Sequence, residues 1–187
     1  NPDHVEALNN RGCRFGALGQ PETALADFDR LLAIRPHYYE ALINRSHMLV
    51  ELHHEEDGLA SYRQALAITP HQPDAMFNEG LNQLRLGDFR CGWENFEMRW
   101  FAKDFVHTQR KYPLPRWGGE ALAGPLLVSG EQGLGDQILY ASMLPDLAAR
   151  VEQVTVEVEP RLIPLFARSF PSVNVVARET ELYAGPA

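Results

Sequence analysis

Residues 14–28 read "RFGALGQPETALADF", two helical patterns joined by a turn at Gly19. The same grammar returns on either side at a spacing of 34 residues. Pro2, Pro36 and Pro70 keep that period, as do Ala7, Ala41 and Ala75, and Phe28, Tyr62 and Phe96 share its phase. Small residues align too: Gly12, Ser46 and Gly80 in one column, Ala24, Gly58 and Gly92 in another. A fixed period of this length marks helical pairs stacked side by side. Small residues let two antiparallel helices approach closely, the aromatic fills the space between successive pairs, and proline stops the second helix. Gly87 matches Gly19 in the third copy, whereas His53 holds that place in the second. A non-glycine residue there is expected to strain or reshape one turn while leaving the register intact.

The period and its columns resemble the tetratricopeptide repeat. Three repeats cover residues 1–105, at about 2–35, 36–69 and 70–105. A further column, Asn10, Asn44 and Asn78, falls on the first helix of each repeat. In the resembled family that face lines the inner, concave surface. A carboxamide both donates and accepts, so a column of them can bond the backbone of an extended peptide without reading its side chains. The arrangement is similar to the asparagine ladder of the protein O-linked N-acetylglucosamine transferases, which join such repeats to a glycosyltransferase. The plainer alternative is that each Asn bonds a neighbouring helix. The nearby positions Ile43, His47, Phe77 and Leu81 lack the lysine-rich pattern that clamps a terminal carboxylate.

Composition narrows the partners. The chain has 187 residues, is 45% hydrophobic and carries a formal net charge of -8. That balance buries a core and opposes broad binding to nucleic acid or anionic lipid, which relies on clustered positive charge. The two cysteines, Cys13 and Cys91, have no metal-ligand or disulfide spacing, so a reducing, cytoplasmic setting is expected. No apolar run approaches the roughly 20 residues needed to span a bilayer. His53 and His54 beside Glu55 and Glu56 point in different directions on one turn, so no metal site is expected.

The third repeat's second helix is read as running on through "CGWENFEMRWFAKDF", residues 91–105. Trp93, Phe96 and Trp100 form a stripe that Phe101 and Phe105 widen, and a face so apolar calls for a cover, supplied most simply by the following domain. The connector "HTQRKYPLPRWGGE" then breaks the periodicity at Pro113, Pro115, Gly118 and Gly119. Its Arg110, Lys111 and Arg116 read as part of a structured linker, residues 106–120, rather than as a nucleic-acid patch.

Beyond it, residues 121–187 alternate. "PLLVSG", "VTVEVEP" and "VNVVAR" read as strands, "RLIPLFARSF" as a helix, and "DQILYASMLPDLAAR" as a helix interrupted or kinked by Pro145. This predicts a parallel, doubly wound sheet, with ligands at the carboxyl ends of its strands. Three strands are few for such a domain, which is therefore expected to be partial.

The turn "SGEQGLGDQI", residues 129–138, sits where that ligand is expected. Ile138 stands where a dinucleotide fingerprint has its third glycine, and no Gly-Lys-Ser/Thr follows, so neither a nicotinamide site nor a P-loop is supported. What remains is a glycine-rich turn, Gln132, Gly133 and Gly135, opening a helix whose free N–H groups favour an anion or a carboxylate. Asp136 at the helix start is either a cap or a chemical group.

Residues 115–173 resemble the start of the glycosyltransferase-like domain that follows tetratricopeptide repeats in many bacterial proteins. They are also similar to the amino-terminal half of the ADP-heptose transferases, whose GT-B fold has two facing doubly wound domains. That resemblance implies that Gly135 and Asp136 match the Gly-Asp pair whose aspartate is the general base towards an acceptor hydroxyl. It implies a nucleotide-sugar donor for the full-length protein, bound mainly by a second half that this sequence lacks, so that no cofactor is expected on the chain itself. Two functions follow as expectations. One is part of a glycosyltransferase whose repeats present a protein or peptide acceptor. The other is a non-enzymatic interaction scaffold with a structural α/β part.

Overall fold

The computed structural model describes residues 3–103, 112, 114–131 and 133–178. Pro2, Phe105, His107, Arg110, Lys111 and Pro113 lie outside the described residues. The chain divides into two compact units, residues 1–110 and 111–187.

The first unit is built of helical pairs: α1 (Val5–Ala17) with α2 (Pro21–Ile34), α3 (Tyr39–Glu51) with α4 (Glu55–Ile68), and α5 (Pro73–Arg85) with α6 (Phe89–Phe96). Each pair is joined by the same hydrogen-bonded turn. Gly19 and Gly87 take left-handed φ values of 68° and 81°. The next N–H then reaches five residues back, Gln20 to the Phe15 carbonyl and Asp88 to the Gln83 carbonyl, both at 3.0 Å. His53 adopts φ 60°, and His54 closes onto Leu49 at 2.8 Å in the same manner. The register is kept, and the strain of a left-handed non-glycine residue falls on His53 itself.

The small-residue columns have steric causes. A Cβ on Gly12 would lie 2.7 Å from the Phe28 ring, and one on Gly80 would lie 2.9 Å from the Gly92 carbonyl and the Phe96 nitrogen. Ser46 is accommodated because its hydroxyl bonds the Leu42 carbonyl at 2.8 Å, an oxygen that also accepts from Ser61 on the paired helix. Around these contacts Ala24, Phe28, Leu31, Ala41, Tyr62 and Ala65 are buried.

The third pair departs from the others in two ways. Its interior is polar: Asn95 donates to Gln83 at 3.0 Å and to Glu79 at 3.3 Å, and Arg63 pairs with Glu79 at 3.5 Å. Burial pushes the Glu79 carboxyl above its ordinary value, opposed by Arg63. Its second helix also ends early. The expected helix through Phe105 stops at Phe96 and tightens into a 3₁₀ turn over Glu97–Phe101. Arg99 supplies the reason. Its guanidinium lies 4.5 Å from the Phe96 ring centroid and 4.4 Å from that of Trp100, and it donates to the Phe96 carbonyl, which a continuing α-helix would bond instead. Phe96 also packs on Phe77, 5.4 Å between ring centroids. Part of the aromatic face expected to need an outside cover is thus covered from within, although Trp93 and Phe101 stay exposed. The unit closes where the Lys103 N–H bonds the Asp74 carboxylate at 3.0 Å.

The second unit holds β1 (Leu126–Ser129), β2 (Val154–Val158) and β3 (Asn174–Ala177), parallel and in that order, with Val128 beside Val156 and Val156 beside Val175. The expected strands are all present. The helix expected after β1 is broken into α7 (Leu134–Tyr140), a 3₁₀ turn at Ala141–Met143, and α8 (Leu144–Ala148). Pro145 lacks the N–H that would bond the Ala141 carbonyl, so the break falls one turn before it. A second 3₁₀ turn, Pro160–Leu162, leads into α9 (Ile163–Ser169). Val154, Val156, Val158, Phe166, Leu144 and Val173 form the core. The architecture observed is a small three-stranded parallel sheet with helical crossovers.

Candidate functional site

The asparagine column lies on equivalent turns of α1, α3 and α5, two residues before the small-residue column, so the close packing of each pair fixes which way it turns. Asn10 is exposed, while Asn44 and Asn78 are half-buried. They are not equivalent in their bonding. Asn44 donates to Asn9 and approaches the Cys13 sulfur, each at 3.3 Å, so its amide bridges neighbouring first helices. Asn78 instead borders a cavity of about 300 Å³ between α3, α4 and α5.

That cavity has apolar walls, Val50 and Leu81, and a polar floor, His47, Tyr62 and Asn82, with Arg85 at its edge. His47 and Tyr62 meet edge to face at 5.8 Å. Burial holds the His47 imidazole below its ordinary value, so it is neutral near pH 7, and holds the Tyr62 hydroxyl well above its own, with Arg85 pulling the other way. Asn82 is 1% exposed. Its Nδ2 donates to the Glu55 carbonyl at 2.8 Å, tying α5 to the start of α4, while its buried Oδ1 has no partner among the described residues.

In the second unit the glycine-rich turn leaves β1 and enters α7. Gly133 caps that helix, and Asp136, its third residue, folds back so that Oδ2 accepts the Gly133 N–H at 3.1 Å. Asp136 therefore supports the turn from inside the helix rather than occupying the cap position. A Cβ on Gly135 would meet nothing within 4 Å, so space does not demand glycine there. Gln132 lies outside the described residues.

Two features of this turn escaped the sequence reading. Gly130 presses on Gln137: a Cβ at 130 would lie 2.8 Å from the Gln137 carboxamide, whose oxygen accepts the Glu159 N–H at 3.0 Å. Gln137 thus straps α7 to the end of β2. Beside it, the Glu157 side chain is wholly buried and accepts from the Tyr112 and Ser129 hydroxyls. The signal was available in "VTVEVEP". A parallel strand covered on both faces buries every position, so an acid within it must be buried and bonded.

Comparison with known proteins supports the helical part. No family model matches the chain. The protein FlbA of Caulobacter vibrioides is 40% identical over 106 residues, which is 54% of this chain. The chain spans 18% of that relative's length. Among solved structures, MamA aligns with a TM-score of 0.52 at 19% identity, over 56% of this chain and 61% of its own. A tetratricopeptide repeat protein from Parabacteroides merdae aligns at 0.50 and 23% identity, over 56% and 41%. These likenesses establish the tetratricopeptide-repeat fold for the helical unit. Among the described residues, no helix is long and apolar enough to cross a membrane.

Proposed function

We propose that the repeat unit is a protein-interaction module whose first-helix face holds an extended partner segment, with Asn10, Asn44 and Asn78 bonding the segment's backbone. The observation that carries this reading is the recurrence of a carboxamide at one position of all three stacked pairs, on helices α1, α3 and α5. Among the hydrogen bonds of the described residues, only Asn44 of the three has side-chain partners, and its contacts at 3.3 Å are weak enough to exchange. The partner is a protein or peptide. The free, exposed thiols of Cys13 and Cys91 suit a reducing, cytoplasmic setting.

Peptides selected by display against the whole chain test the reading. Changing Asn10, Asn44 and Asn78 together to Ala should weaken a selected peptide at least about tenfold by calorimetry, since each lost bond is worth about 0.5–1.5 kcal/mol. Unchanged affinity would remove the ladder.

A second reading has one observation in its favour. A glycine-rich turn bearing Asp136 follows the first of three parallel strands, where α/β proteins place a ligand. On that reading the second unit is the acceptor-side part of a nucleotide-sugar-dependent glycosyltransferase, with Asp136 as base towards an acceptor hydroxyl. Asp136→Asn separates base from support, because a carboxamide oxygen still accepts the Gly133 N–H while losing the ability to take a proton. The full gene product, assayed with a panel of nucleotide-sugars, should lose turnover in this variant while keeping its melting temperature. Turnover equal to the parent's would refute the assignment.

A further inference from the structure

The repeat unit has two seams, one where α2 meets α3 and one where α4 meets α5, built from the same columns but filled differently. At the first, one apolar cluster runs from the first pair into the second: Val5, Leu8, Ala24, Phe28, Leu31 and Ala41 are buried together, and Met48 packs on them from α3. On the exposed side Arg45 of α3 bonds Asp29 of α2 at 2.6 Å. Pulling these helices apart uncovers hydrocarbon and breaks a short charged bond, so both terms oppose motion.

One repeat further on, these features weaken. Phe28 and Ala41 keep buried counterparts in Tyr62 and Ala75, but Leu31 gives way to the smaller Ala65. Met48 gives way to Asn82, whose Nδ2 is held by the Glu55 carbonyl at 2.8 Å while its Oδ1 has no partner among the described residues. The ion pair is kept with its signs exchanged, Arg63 on α4 and Glu79 on α5, and it lengthens to 3.5 Å. Here the arginine is exposed and the carboxylate is buried, so the acid has given up its water for a longer contact.

Opening therefore acts differently at the two seams. At the first it uncovers apolar surface alone. At the second it also uncovers an acceptor and a carboxylate, and each gains hydrogen bonds from water that the closed arrangement denies it. Because Asn82 Oδ1 is closed off from solvent, water reaches it only when α5 moves away from its neighbours. The third pair can move without coming apart. Asn95 ties α6 to Glu79 and Gln83 on α5, and the Lys103 N–H returns to Asp74 at the start of the same pair.

We propose that the seam between α4 and α5 is the hinge of the repeat unit, about which the third pair swings as a block while the first two stay together. The proposal is independent of the interaction reading above. It places the moving seam between Asn44 and Asn78, so the same motion sets the spacing of two rungs of the asparagine column.

Relaxation-dispersion NMR on the whole 187-residue chain tests this, since hinge motions of packed elements fall in the microsecond-to-millisecond range. The repeat supplies a matched control. The amides of Arg63, Glu79 and Asn82 should show exchange broadening that their counterparts Asp29, Arg45 and Met48 lack. Asn82→Met, which carries the first seam's residue into the second, should flatten the profiles of Arg63 and Glu79. Flat profiles at all three second-seam residues of the parent chain, or equal dispersion at both seams, overturns the proposal, and so does undiminished dispersion in a folded Asn82→Met chain. If Asn82→Met does not fold, the comparison of the two seams in the parent chain decides alone.

Discussion

In the repeat unit one contact is made three times with different residues, whereas among the described residues of the α/β unit the contacts that hold the turn are made once each. The inner turn is closed by Gly19, His53 and Gly87 with the same five-residue hydrogen bond. The close approach of paired helices is met by Gly12, by Ser46 with its hydroxyl bonded away, and by Gly80. Among the described residues, nothing comparable duplicates the strap from Gln137 to Glu159 or the burial of Glu157 under the Tyr112 and Ser129 hydroxyls. Repetition lets a position vary because its neighbours hold the register. A single sheet has no such neighbours, and its unique residues become indispensable one by one.

The comparison can be broken most forcefully at Phe28, which fills the space facing Gly12. Phe28→Ala should destabilise by about 3–5 kcal/mol. If the pairs are held independently, hydrogen exchange will show α1 and α2 losing protection first while α5 and α6 retain theirs. Uniform loss would show that the pairs unfold as one.

Matched glycine substitutions sharpen it next. Gly12→Ala and Gly130→Ala each place a methyl under 3 Å from a neighbour, and each should cost about 1–3 kcal/mol by denaturant unfolding. Gly12→Ala meets a buried ring within a tripled scaffold. Gly130→Ala displaces Gln137 and should also release the Glu159 amide to exchange, since that amide donates to the Gln137 carboxamide.

A smaller effect is expected at the odd turn. His53→Gly relieves a left-handed non-glycine residue but adds freedom to the unfolded chain, for a net gain of about 0.5 kcal/mol in thermal unfolding. Gly19→Ala should move in the opposite direction.

The smallest is at Glu79. Burial raises its folded-state carboxyl above the unfolded value, so the folded chain holds that proton to higher pH than the unfolded one. Stability therefore falls as pH rises from the ordinary glutamate value through the raised one, and the penalty is complete above it. Glu79→Gln, whose oxygen still accepts from Asn95, should flatten that fall in a pH series of denaturant midpoints.

Legibility in the sequence followed the same division. The period, the turn at His53 and the small-residue columns were readable because three copies filter out accident. The early end of α6 was not, because it depends on Arg99 reaching back to the Phe96 carbonyl, a side-chain choice that no periodicity encodes. In the second unit the strands and the break at Pro145 were plain from local pattern. The packing of the turn is not legible: the glycine-rich pattern draws the eye to Gly133 and Gly135, and only the folded contacts reveal that Gly130 packs on Gln137. Close approach between a glycine and a distant side chain has no signature in a single sequence. The cavity is equally silent, since His47, Tyr62 and Asn82 come to border one space only when α3, α4 and α5 pack.

The bond from the Lys103 N–H to the Asp74 carboxylate joins the last residues of the third pair to the first turn of its own first helix. Mechanically it is a clasp. Tension applied to the chain beyond residue 103 is delivered to the beginning of that pair as well as to its end, so the pair is loaded in shear as a block instead of being peeled turn by turn from Phe101 backwards. Asp74→Ala would open the clasp and turn a block into a zipper, and an optical trap pulling on that end would register the change as a lower and more gradual first yield.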